Sequence, residues 1–465
     1  MSNSSSLQSV AVSPSQAPSF SGGYKAWLLL LLVLVSASSF MDRIIMATVG
    51  QAVKEELQLS DFQLGLLGGL AFAVFYTGVG IPIARLAERF SRVRIIAICV
   101  IAWSAMTALC GMAQNFWQLL LCRMGVGIGE GGCTPASHSL ISDHFAREKR
   151  ASALALFALG VPIGAGLGAV VGGWIVENIG WREAFYILGL PGVLLGLVVV
   201  ATLREPPRGL SEPQAASDDE VPPFSTVIRR LREKVTFGRL CIGVAVGAFA
   251  TYGISMFIPI FLIRNYGVDY AQAGMLFGLM SGIGAFIGNA AGGFVADWGG
   301  RRDARWYGWV PGFGFALSAP LYAAGFLVPS LTLAVVLIFI GNIFAMMNYA
   351  PTFAVAQNLV EPRMRASASA ILLFMMNIIG MGVGPLFLGF ISDVYAASAF
   401  SLGDYAQLCP GGVAAPDSAA GIGAACAQAS TLGLKWAAVT CSLAFVAASL
   451  TYFAVARSVR HDMKA

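Results

Sequence analysis

The stretch from Trp27 to Val53, WLLLLLVLVSASSFMDRIIMATVGQAV, is an apolar run with an adjacent aspartate and arginine, Asp42 and Arg43, inside it. The run is long enough to cross a bilayer, which takes about 20 apolar residues. A charge at the centre of a membrane helix costs about 2.5–3.5 kcal/mol even on insertion scales that penalise it least. We therefore predict a transmembrane helix whose two charged side chains face protein partners or a functional cavity.

The composition of the whole chain points to the same class of protein. Of the 465 residues, 57% are hydrophobic and only 11% are charged, whereas soluble domains carry about 25% charged residues. This balance predicts an all-α polytopic membrane protein, with the lipid bilayer as its surroundings. The segments are too long and too uniformly apolar for the alternating strands of a membrane β-barrel. The net charge is +5, but the basic residues are distributed according to the sides of the membrane. We therefore expect no nucleic-acid partner.

Apolar segments predict twelve transmembrane helices in two groups of six. They lie near 26–50, 62–84, 95–113, 116–140, 152–177, 182–203, 237–262, 270–295, 307–328, 331–357, 367–394 and 433–456. With both termini cytoplasmic, the outer side carries only Lys54, Arg182, Arg264 and Lys435, and most other basic residues fall inside. This bias predicts a multi-pass protein of a cell or inner membrane with both termini in the cytoplasm.

The remaining segments complete the predicted domain organisation. We expect a disordered cytoplasmic tail at 1–24, six-helix bundles at 25–203 and 237–457, a cytoplasmic linker at 204–236, and a tail at 458–465. The basic part of the linker, FSTVIRRLREKV, is either an amphipathic helix on the inner membrane surface or a solvated connection. Cys409 and Cys426 lie in the long outer loop 396–431, where we predict a disulfide.

The two halves of the chain repeat each other. KRASALALF at 149–157 matches MRASASAILLF at 364–374 with an offset of 215, and ARLAERFSRVR at 84–94 is offset by 209 from GFVADWGGRR at 293–302. A repeated unit with a binding site at the repeat interface is typical of secondary transporters.

The loop GFVADWGGRR resembles the signature that the major facilitator superfamily carries between helices 2 and 3 and between helices 8 and 9. In the first copy Ala84, Glu88 and Ser91 replace the usual glycine, aspartate and glycine. The resemblance implies two bundles that rock about a central site. We expect a gating role on the inner side for the charged signature residues, in which Glu88 and Asp297 accept hydrogen bonds from backbone amides at a helix N-terminus. These residues are Glu88, Arg89, Arg92, Asp297, Arg301 and Arg302.

Three further stretches resemble the Spinster-type lipid transporters within that superfamily. They are MDR at 41–43, CRMGVGIGEGGCTPASHSLISDHF at 122–145 and LGVPIGAGLG at 159–168. The resemblance implies facilitated or proton-linked movement of lysolipids or phosphorylated sphingoid bases.

Four charged residues within membrane segments are the candidate centre of this activity. Arg123 and Glu130 lie on one face of their helix, whereas Asp42 and Arg43 point about 100° apart. The simplest neutral arrangement pairs Asp42 with Arg123 and Arg43 with Glu130. We predict that Asp42 or Glu130 carries the coupled proton and that Arg43 and Arg123 bind the substrate head group. The alternative is a set of fixed structural ion pairs.

Applying the repeat offsets to the second half predicts a wall without ionisable acids or bases facing this quartet. Its members are Tyr252, Met256, Phe257, Asn342, Met346, Asn348, Tyr349 and Asn377. One charged wall and one apolar wall fit an amphiphile, with the head group on the arginines. Two alternatives remain: the apolar wall is only helix packing, and the cargo is a drug or small organic anion.

Enzymatic patterns are weak. Gly127, Gly129 and Gly132 give the spacing of a nucleotide-binding loop, but no strand precedes them. His138 and Asp143 lie about 140° apart on a helix and could act together only if the helix ended between them. We expect no catalytic residue, metal or cofactor, a proton gradient as the energy source, and a functional monomer. An integral-membrane lipid enzyme is the distant alternative.

Overall fold

The computed structural model of the chain describes residues 20–207, 224–361, 364–414 and 421–462. Within these ranges the protein is helical and contains no strand. The twelve predicted segments correspond to α1 (Gly22–Leu57), α2 (61–89), α3 (Arg92–Cys110), α4 (116–144), α5 (147–178), α6 (Trp181–Thr202), α7 (Val235–Tyr266), α8 (Tyr270–Gly300), α9 (Trp306–Leu327), α10 (Leu331–Asn358), α11 (365–399) and α12 (Ile422–Asp462). Helix ends are named inner and outer after the orientation predicted from lysine and arginine.

Eleven of these helices are long and apolar enough to cross a membrane by themselves in the described ranges. The remaining one, α4, is interrupted at Gly131 and Gly132 between Phe116–Glu130 and Cys133–His144. This interrupted helix carries Arg123 and Glu130. Glycines can leave the helical geometry at little steric cost, although they weaken the helix. The break therefore lies directly after the buried glutamate of the predicted quartet.

Polar caps at the helix starts explain where several segments begin. The hydroxyl of Ser60 accepts from the amide of Gln63, whose side chain accepts from the Ser60 amide, so a capping box starts α2. The side chains of Asn115 and Asp269 accept from the amides of Gln118 and Gln272 and so cap the starts of α4 and α8. Gly267, with φ 65°, ends α7 in a left-handed conformation that favours glycine. The turns between outer helix ends are therefore encoded locally.

Several predicted boundaries are wrong by about five residues, and the two largest differences are at the end of α1 and the start of α12. Helix α1 continues to Leu57, beyond the predicted 26–50, and α12 begins at Ile422 instead of 433. The outer loop is correspondingly shorter than 396–431 and contains the short helix Tyr405–Leu408. Cys409 and Cys426 are joined by a disulfide with Cα atoms 5.5 Å apart. Most of the tail 1–24 lies outside the described residues.

The basic part of the linker forms the helix Phe224–Glu233, called the linker helix below. Val227 and Leu231 are buried on one side of it, and Arg229, Arg230 and Arg232 are exposed on the other. The amphipathic alternative is therefore the one that the structure contains. The acidic part of the linker, 208–223, lies outside the described residues.

Helices α2, α8 and α11 each contain a widened π turn, and α5 is interrupted. The π turns are Leu66–Leu70, Leu279–Gly284 and Met376–Val383. Helix α5 breaks between Ala158 and Gly160. Such turns loosen the hydrogen-bond ladder and are frequent at functional sites. These four helices form the seams between the two bundles, so each seam contains points at which its helices can bend.

Outer to the π turns, glycines bring the two bundles into backbone contact. A Cβ at Gly65 of α2 would lie 2.2 Å from the carbonyl oxygen of Pro385 in α11. A Cβ at Gly173 of α5 would lie 2.5 Å from the carbonyl oxygen of Tyr270 in α8. Small residues permit this close helix approach within membranes. The outer half of the molecule is therefore tightly closed along both seams.

Candidate functional site: a central charged cavity and an outer gate

A small cavity of about 80 Å³ lies between the two bundles near the π turns. Of the predicted binding residues, Arg43 and Arg123 line it from the first bundle, and Tyr252 and Met256 line it from the second. The other lining residues are mostly apolar: Phe40, Ile44, Ala47, Gly68, Phe72, Ser255, Phe277, Met381 and Pro385. The cavity thus has both its guanidinium groups on the first-bundle side.

Arg43 forms the predicted ion pair with Glu130. Its Nη2 and Nε atoms lie 2.8 and 2.9 Å from Glu130 Oε2. The hydroxyl of Ser39 donates to the same oxygen at 2.6 Å. The Glu130 side chain is 1% exposed, so this contact is shielded from water and is a strong one. Oε2 of Glu130 is therefore well satisfied, whereas its buried Oε1 has no hydrogen-bond partner among the described residues.

Three aromatic rings surround the Arg43 guanidinium. Its central carbon lies 4.4 Å from the ring centre of Tyr76, 4.8 Å from that of Phe40 and 5.2 Å from that of Phe72. Such faces attract a cation electrostatically, by about 2 kcal/mol when water is excluded. The rings fix the guanidinium at the cavity wall, which is the arrangement that a recognition group for an anion requires.

The predicted pair of Asp42 with Arg123 is wrong. Arg123 Nη1 donates to the backbone carbonyl of Asp42 at 3.1 Å, not to its carboxylate, and Nε donates to the carbonyl of Leu67 at 3.5 Å. Both carboxylate oxygens of Asp42 are buried without a hydrogen-bond partner in the described part of the chain. The guanidinium instead holds α1 and α2 together through carbonyls that spacing alone could not identify.

The other predicted second-bundle residues fall into different surroundings. Phe257 is packed in the core, and Asn342 donates to the carbonyl of Met280 at 2.7 Å within its own bundle. Met346 packs on Gly288, and Asn348 donates to the carbonyl of Ala345. None of these four is among the cavity-lining residues. Half-buried Asn377 belongs to the π turn of α11, and Tyr349 is 42% exposed.

The inner signature residues make contacts within a single bundle. Asp297 accepts from the hydroxyl of Tyr307 at 2.9 Å, and exposed Arg302 lies over the ring of Trp298. Arg89 and Arg301 are exposed. The side chain of Glu88 lies outside what the structure describes. Among the described residues, Asp297 thus makes its contact within its own bundle, and the part of the predicted inner tie that depends on Glu88 lies outside what the structure describes.

Arg92 differs from the other signature residues because it is buried. It forms ion pairs with Asp143 at the end of α4 and with Glu205 at the start of the linker, the latter at 2.6 Å. Although partial burial opposes it, the pKa of Glu205 lies below its ordinary value because the Val93 amide and the Arg92 guanidinium stabilise the carboxylate. Arg92 thus anchors the linker to the first bundle in this conformation, and its gating role stays a prediction.

Sequence reasoning missed a buried ion network at the outer end, between the bundles. Arg264 of α7 donates to both oxygens of Asp61 of α2, at 2.9 and 2.8 Å, and its Nε donates to Gln51 at 2.7 Å. Lys54 and Ser392 each lie 2.6 Å from the same carboxylate. The Asp61 and Lys54 side chains are each 2% exposed. The network therefore closes the outer side with strong, shielded contacts.

Two carboxylates bridge the outer seams in a reciprocal way. Asp393 of α11 accepts from the amides of Asp61 and Phe62 at the start of α2, at 3.0 and 2.8 Å. Glu177 of α5 accepts from the amide of Tyr270 at the start of α8, at 2.9 Å. Each bundle thus places an acid on a helix N-terminus of the other, where the helix dipole favours negative charge. A carboxylate that accepts from amides at a helix N-terminus was predicted for the inner side with Glu88 and Asp297. The structure contains this arrangement on the outer side, with Asp393 and Glu177.

The network had a weak signal in the sequence. Lys54 and Arg264 are two of the few basic residues on the outer side, and Asp61 and Asp393 lie at outer helix ends of the two halves. These residues are close together only because α2 packs against α11. The two helices are far apart in the chain: Asp61 and Ser392, which share a hydrogen bond, are separated by 331 residues. Periodicity within one helix carries no information on that pairing.

Residues 31–400 match the sequence pattern of the Major Facilitator Superfamily. The chain belongs to this superfamily. The transporter is 34% identical to a solved bacterial homologue of the human lysosomal transporter Spinster, inward-facing and unoccupied, with a TM-score of 0.89 over 95% of this chain and 99% of that one. The inward-facing and occupied form of that homologue gives a TM-score of 0.85 at the same identity and coverage. These matches show the transporter to be Spinster-like.

Curated relatives of the transporter include both efflux and lipid-related proteins. It is 31% identical over 373 residues to an MFS-type efflux pump of Mycolicibacterium smegmatis, covering 80% of this chain and 86% of the pump. It is 27% identical over 405 residues to the sphingosine-1-phosphate transporter SPNS2 of Xenopus tropicalis, covering 82% and 78%. It is 26% identical over 395 residues to protein spinster homolog 1 of Homo sapiens, covering 80% and 74%.

Proposed function

We propose that this protein is a secondary active transporter that moves an amphiphilic anion, of the lysophospholipid or sphingoid-phosphate kind, by proton-coupled alternating access. The observation that carries the proposal is the asymmetry of the central cavity. Arg43 and Arg123 line it from one bundle, while Met256 and Phe277 line it from the other. An anionic head group fits the first wall and an acyl chain fits the second.

The closed outer end supports alternating access. The Asp61 network and both glycine-lined seams hold the bundles together outside the cavity, whereas the described inner residues form no comparable tie. The similarity to inward-facing Spinster structures supports the same state for this chain. The outward-open state then requires the outer contacts to break, with bending at the π turns of α2, α8 and α11.

The balance of charges explains how a proton could be coupled to an anion. With both acids ionised, Asp42, Arg43, Arg123 and Glu130 sum to zero. Glu130 has Arg43 and Ser39 as partners, whereas the buried Asp42 carboxylate has none, so Asp42 is the better candidate for carrying the proton. A protonated Asp42 leaves one net positive charge at the cavity. Proton and anion then favour each other's binding by linkage.

The volume of the cavity limits what it holds in this conformation. About 80 Å³ is well below the roughly 300–1,000 Å³ of typical drug-sized sites. A lysolipid can place at most its head group there, and its chain has to lie along the inner opening between the bundles. We infer that binding widens the inner opening, and that the transporter acts as a monomer within the bilayer and needs no cofactor.

A second candidate cargo is a drug or a small organic anion. The observation that favours it is the similarity to the mycobacterial efflux pump, whose 31% identity exceeds that to SPNS2 and to protein spinster homolog 1 but not the 34% to the solved bacterial Spinster homologue. Such a cargo would use the same arginines without needing an apolar wall. The two candidates differ in how affinity depends on acyl-chain length.

Binding to a series of lysophosphatidic acids of increasing chain length tests the proposal. We expect each buried methylene to contribute up to about 0.8 kcal/mol. Arg43→Ala should weaken binding by about 1.5–3 kcal/mol because a charged hydrogen-bond partner is lost. Arg457→Ala, at an exposed position of α12, is the matched control. If affinity is independent of chain length and a small hydrophilic anion binds as tightly, the organic-anion candidate replaces the lipid one.

A further inference from the structure

Three polar side chains of α3 are buried without partners, and two of them lie beside Asp42. Trp103, Ser104 and Thr107 are each 0% exposed, and the indole nitrogen and both hydroxyls have no hydrogen-bond partner within the described part of the chain. Trp103 and Thr107 are four residues apart and therefore share one helix face. Unsatisfied buried polar groups are rare in proteins. Two of them, Trp103 and Thr107, beside an unpartnered carboxylate require an explanation.

Trp103 and Thr107 point at the carboxylate of Asp42. Both are side-chain donors next to this carboxylate, but neither forms a hydrogen bond of normal length and angle with it in this conformation. Ser104 lies one residue further round, where a Cβ at Gly192 would lie 2.1 Å from its hydroxyl and 3.4 Å from that of Ser38. The hydroxyl of Ser104 is therefore directed between α1 and α6. Trp103 and Thr107 are the two donors available to Asp42.

The backbone of α3 is held in place at this level. A Cβ at Gly129 of α4 would lie 2.7 Å from the Trp103 backbone nitrogen, and a Cβ at Gly189 of α6 would lie 2.8 Å from that of Ala108. Helix α3 is thus tightly packed against α4 and α6 at this level. Hydrogen bonds to the Asp42 carboxylate can form if α1 shifts relative to α3 or if the side chains rotate.

We propose that Trp103 and Thr107 are positioning residues that hold the Asp42 carboxylate after it has released its proton. The inference rests on the proposed role of Asp42 as proton carrier. In the present conformation the donors are unpaired, and we assign the proton to Asp42 in this state. When the O–H bond of the acid breaks, the proton leaves to water on the open side, and the indole N–H and the threonine hydroxyl donate to the resulting anion.

The other charged and titratable groups around Asp42 make such donors necessary. Glu130 and Arg123 face it from α4, Arg43 follows it on α1, and the Cys110 thiol lies nearby at the outer end of α3. Glu130 repels the anion and Arg123 attracts it, but the Arg123 guanidinium is directed to backbone carbonyls. Without donors from α3, the anion would be buried with no hydrogen bond of its own, which is costly.

The experiment measures lysophosphatidic acid uptake into proteoliposomes as a function of pH for wild type and four variants. Trp103→Phe keeps an aromatic ring without the N–H, and Thr107→Val keeps the shape without the hydroxyl. Each should move the midpoint of the pH dependence upward by about one pH unit, since a donor to the anion is lost. Thr107→Ser should restore the wild-type midpoint. Asp42→Asn should remove the dependence.

The two ways of failing are distinguishable. If Asp42→Asn abolishes the pH dependence but Trp103→Phe and Thr107→Val keep the wild-type midpoint, the donor role is refuted and proton coupling through Asp42 stands. If Asp42→Asn retains the wild-type pH dependence, coupling through Asp42 fails and the donor role fails with it. If only one of Trp103→Phe and Thr107→Val yields folded protein, the midpoint of that variant decides, because each donor is expected to act on the same carboxylate.

Discussion

Adding one methyl group at Gly65 should drive the transporter toward its outward-open state. In the closed outer seam, a Cβ at this position of α2 would lie 2.2 Å from the carbonyl oxygen of Pro385, 2.7 Å from its carbonyl carbon and 2.9 Å from the Cα of Leu386. All three are backbone atoms of α11, so no side-chain rotation can relieve the contact. The helices must separate, which is the movement that opens the outer side.

The expected size of the effect follows from the cost of overpacking. Inserting a methyl group into a packed interface costs about 1–3 kcal/mol. If that strain is present only in the closed state, the ratio of outward-open to inward-open molecules rises about 5- to 150-fold. Gly78→Ala is the matched control, because a Cβ at Gly78 on the same helix meets nothing within 4 Å. Both substitutions replace a helical glycine and gain similar helix propensity.

Pulsed electron resonance between spin labels on the two bundles can measure this shift. Exposed Trp117 at the outer start of α4 and exposed Leu402 beyond α11 are suitable label positions, in a background without the six free cysteines. Gly65→Ala should add a longer-distance population that Gly78→Ala lacks. If folded Gly65→Ala protein gives the wild-type distance distribution, the reasoning that the glycine seam controls outer closure is wrong.

Three further predictions concern the outer network, the outer loop and the linker anchor. Asp393→Asn weakens charge-assisted bonds to the start of α2, by about 1.5–3 kcal/mol, so the same spin-label distances should lengthen; unchanged distances would contradict the bridging role. Replacing Cys409 and Cys426 by serine removes a disulfide between residues 17 positions apart. We expect this to lower the free energy of unfolding by about 3 kcal/mol and to lower the Tm. An unchanged Tm would refute the stabilising role of the disulfide. The pKa of Glu205 lies below its ordinary value of 4.5, so the stability that its carboxylate contributes is fully present above pH 4.5 and is lost as the pH falls through the folded-state pKa. The difference in Tm between wild type and Glu205→Gln should therefore shrink in acid. A Tm difference that stays constant with pH would contradict this role of Glu205.

The sequence was sufficient for features that depend on one helix or on adjacent helices. Segment length and apolarity predicted the twelve helices, and the spacing of Arg123 and Glu130 on α4 led to the ion pair of Glu130 with Arg43. The predicted ion pair of Asp42 with Arg123 was wrong because the Arg123 guanidinium donates its hydrogen bonds to backbone carbonyls instead, those of Asp42 and Leu67. Side-chain charges in a sequence do not reveal that competition.

The second-bundle wall was predicted less well for a geometric reason. The repeat offsets give corresponding positions in the two halves, but they do not show the packing and hydrogen bonds that hold a side chain away from the cavity, as for buried Phe257 on α7. Tyr252 and Met256 lie on uninterrupted α7 and do line the cavity. Asn342 faces the π turn of α8 instead and satisfies the carbonyl of Met280 there.

The most direct test of the account is simultaneous measurement of lysolipid and proton movement in sealed proteoliposomes. Wild-type protein should accumulate unmodified lysophosphatidic acid against its gradient when a pH gradient is imposed, and added lysolipid should drive a pH change. Asp42→Asn should bind the lipid but produce neither the accumulation nor the pH change. Lipid uptake that ignores the pH gradient, or proton movement that persists in Asp42→Asn, would contradict the account.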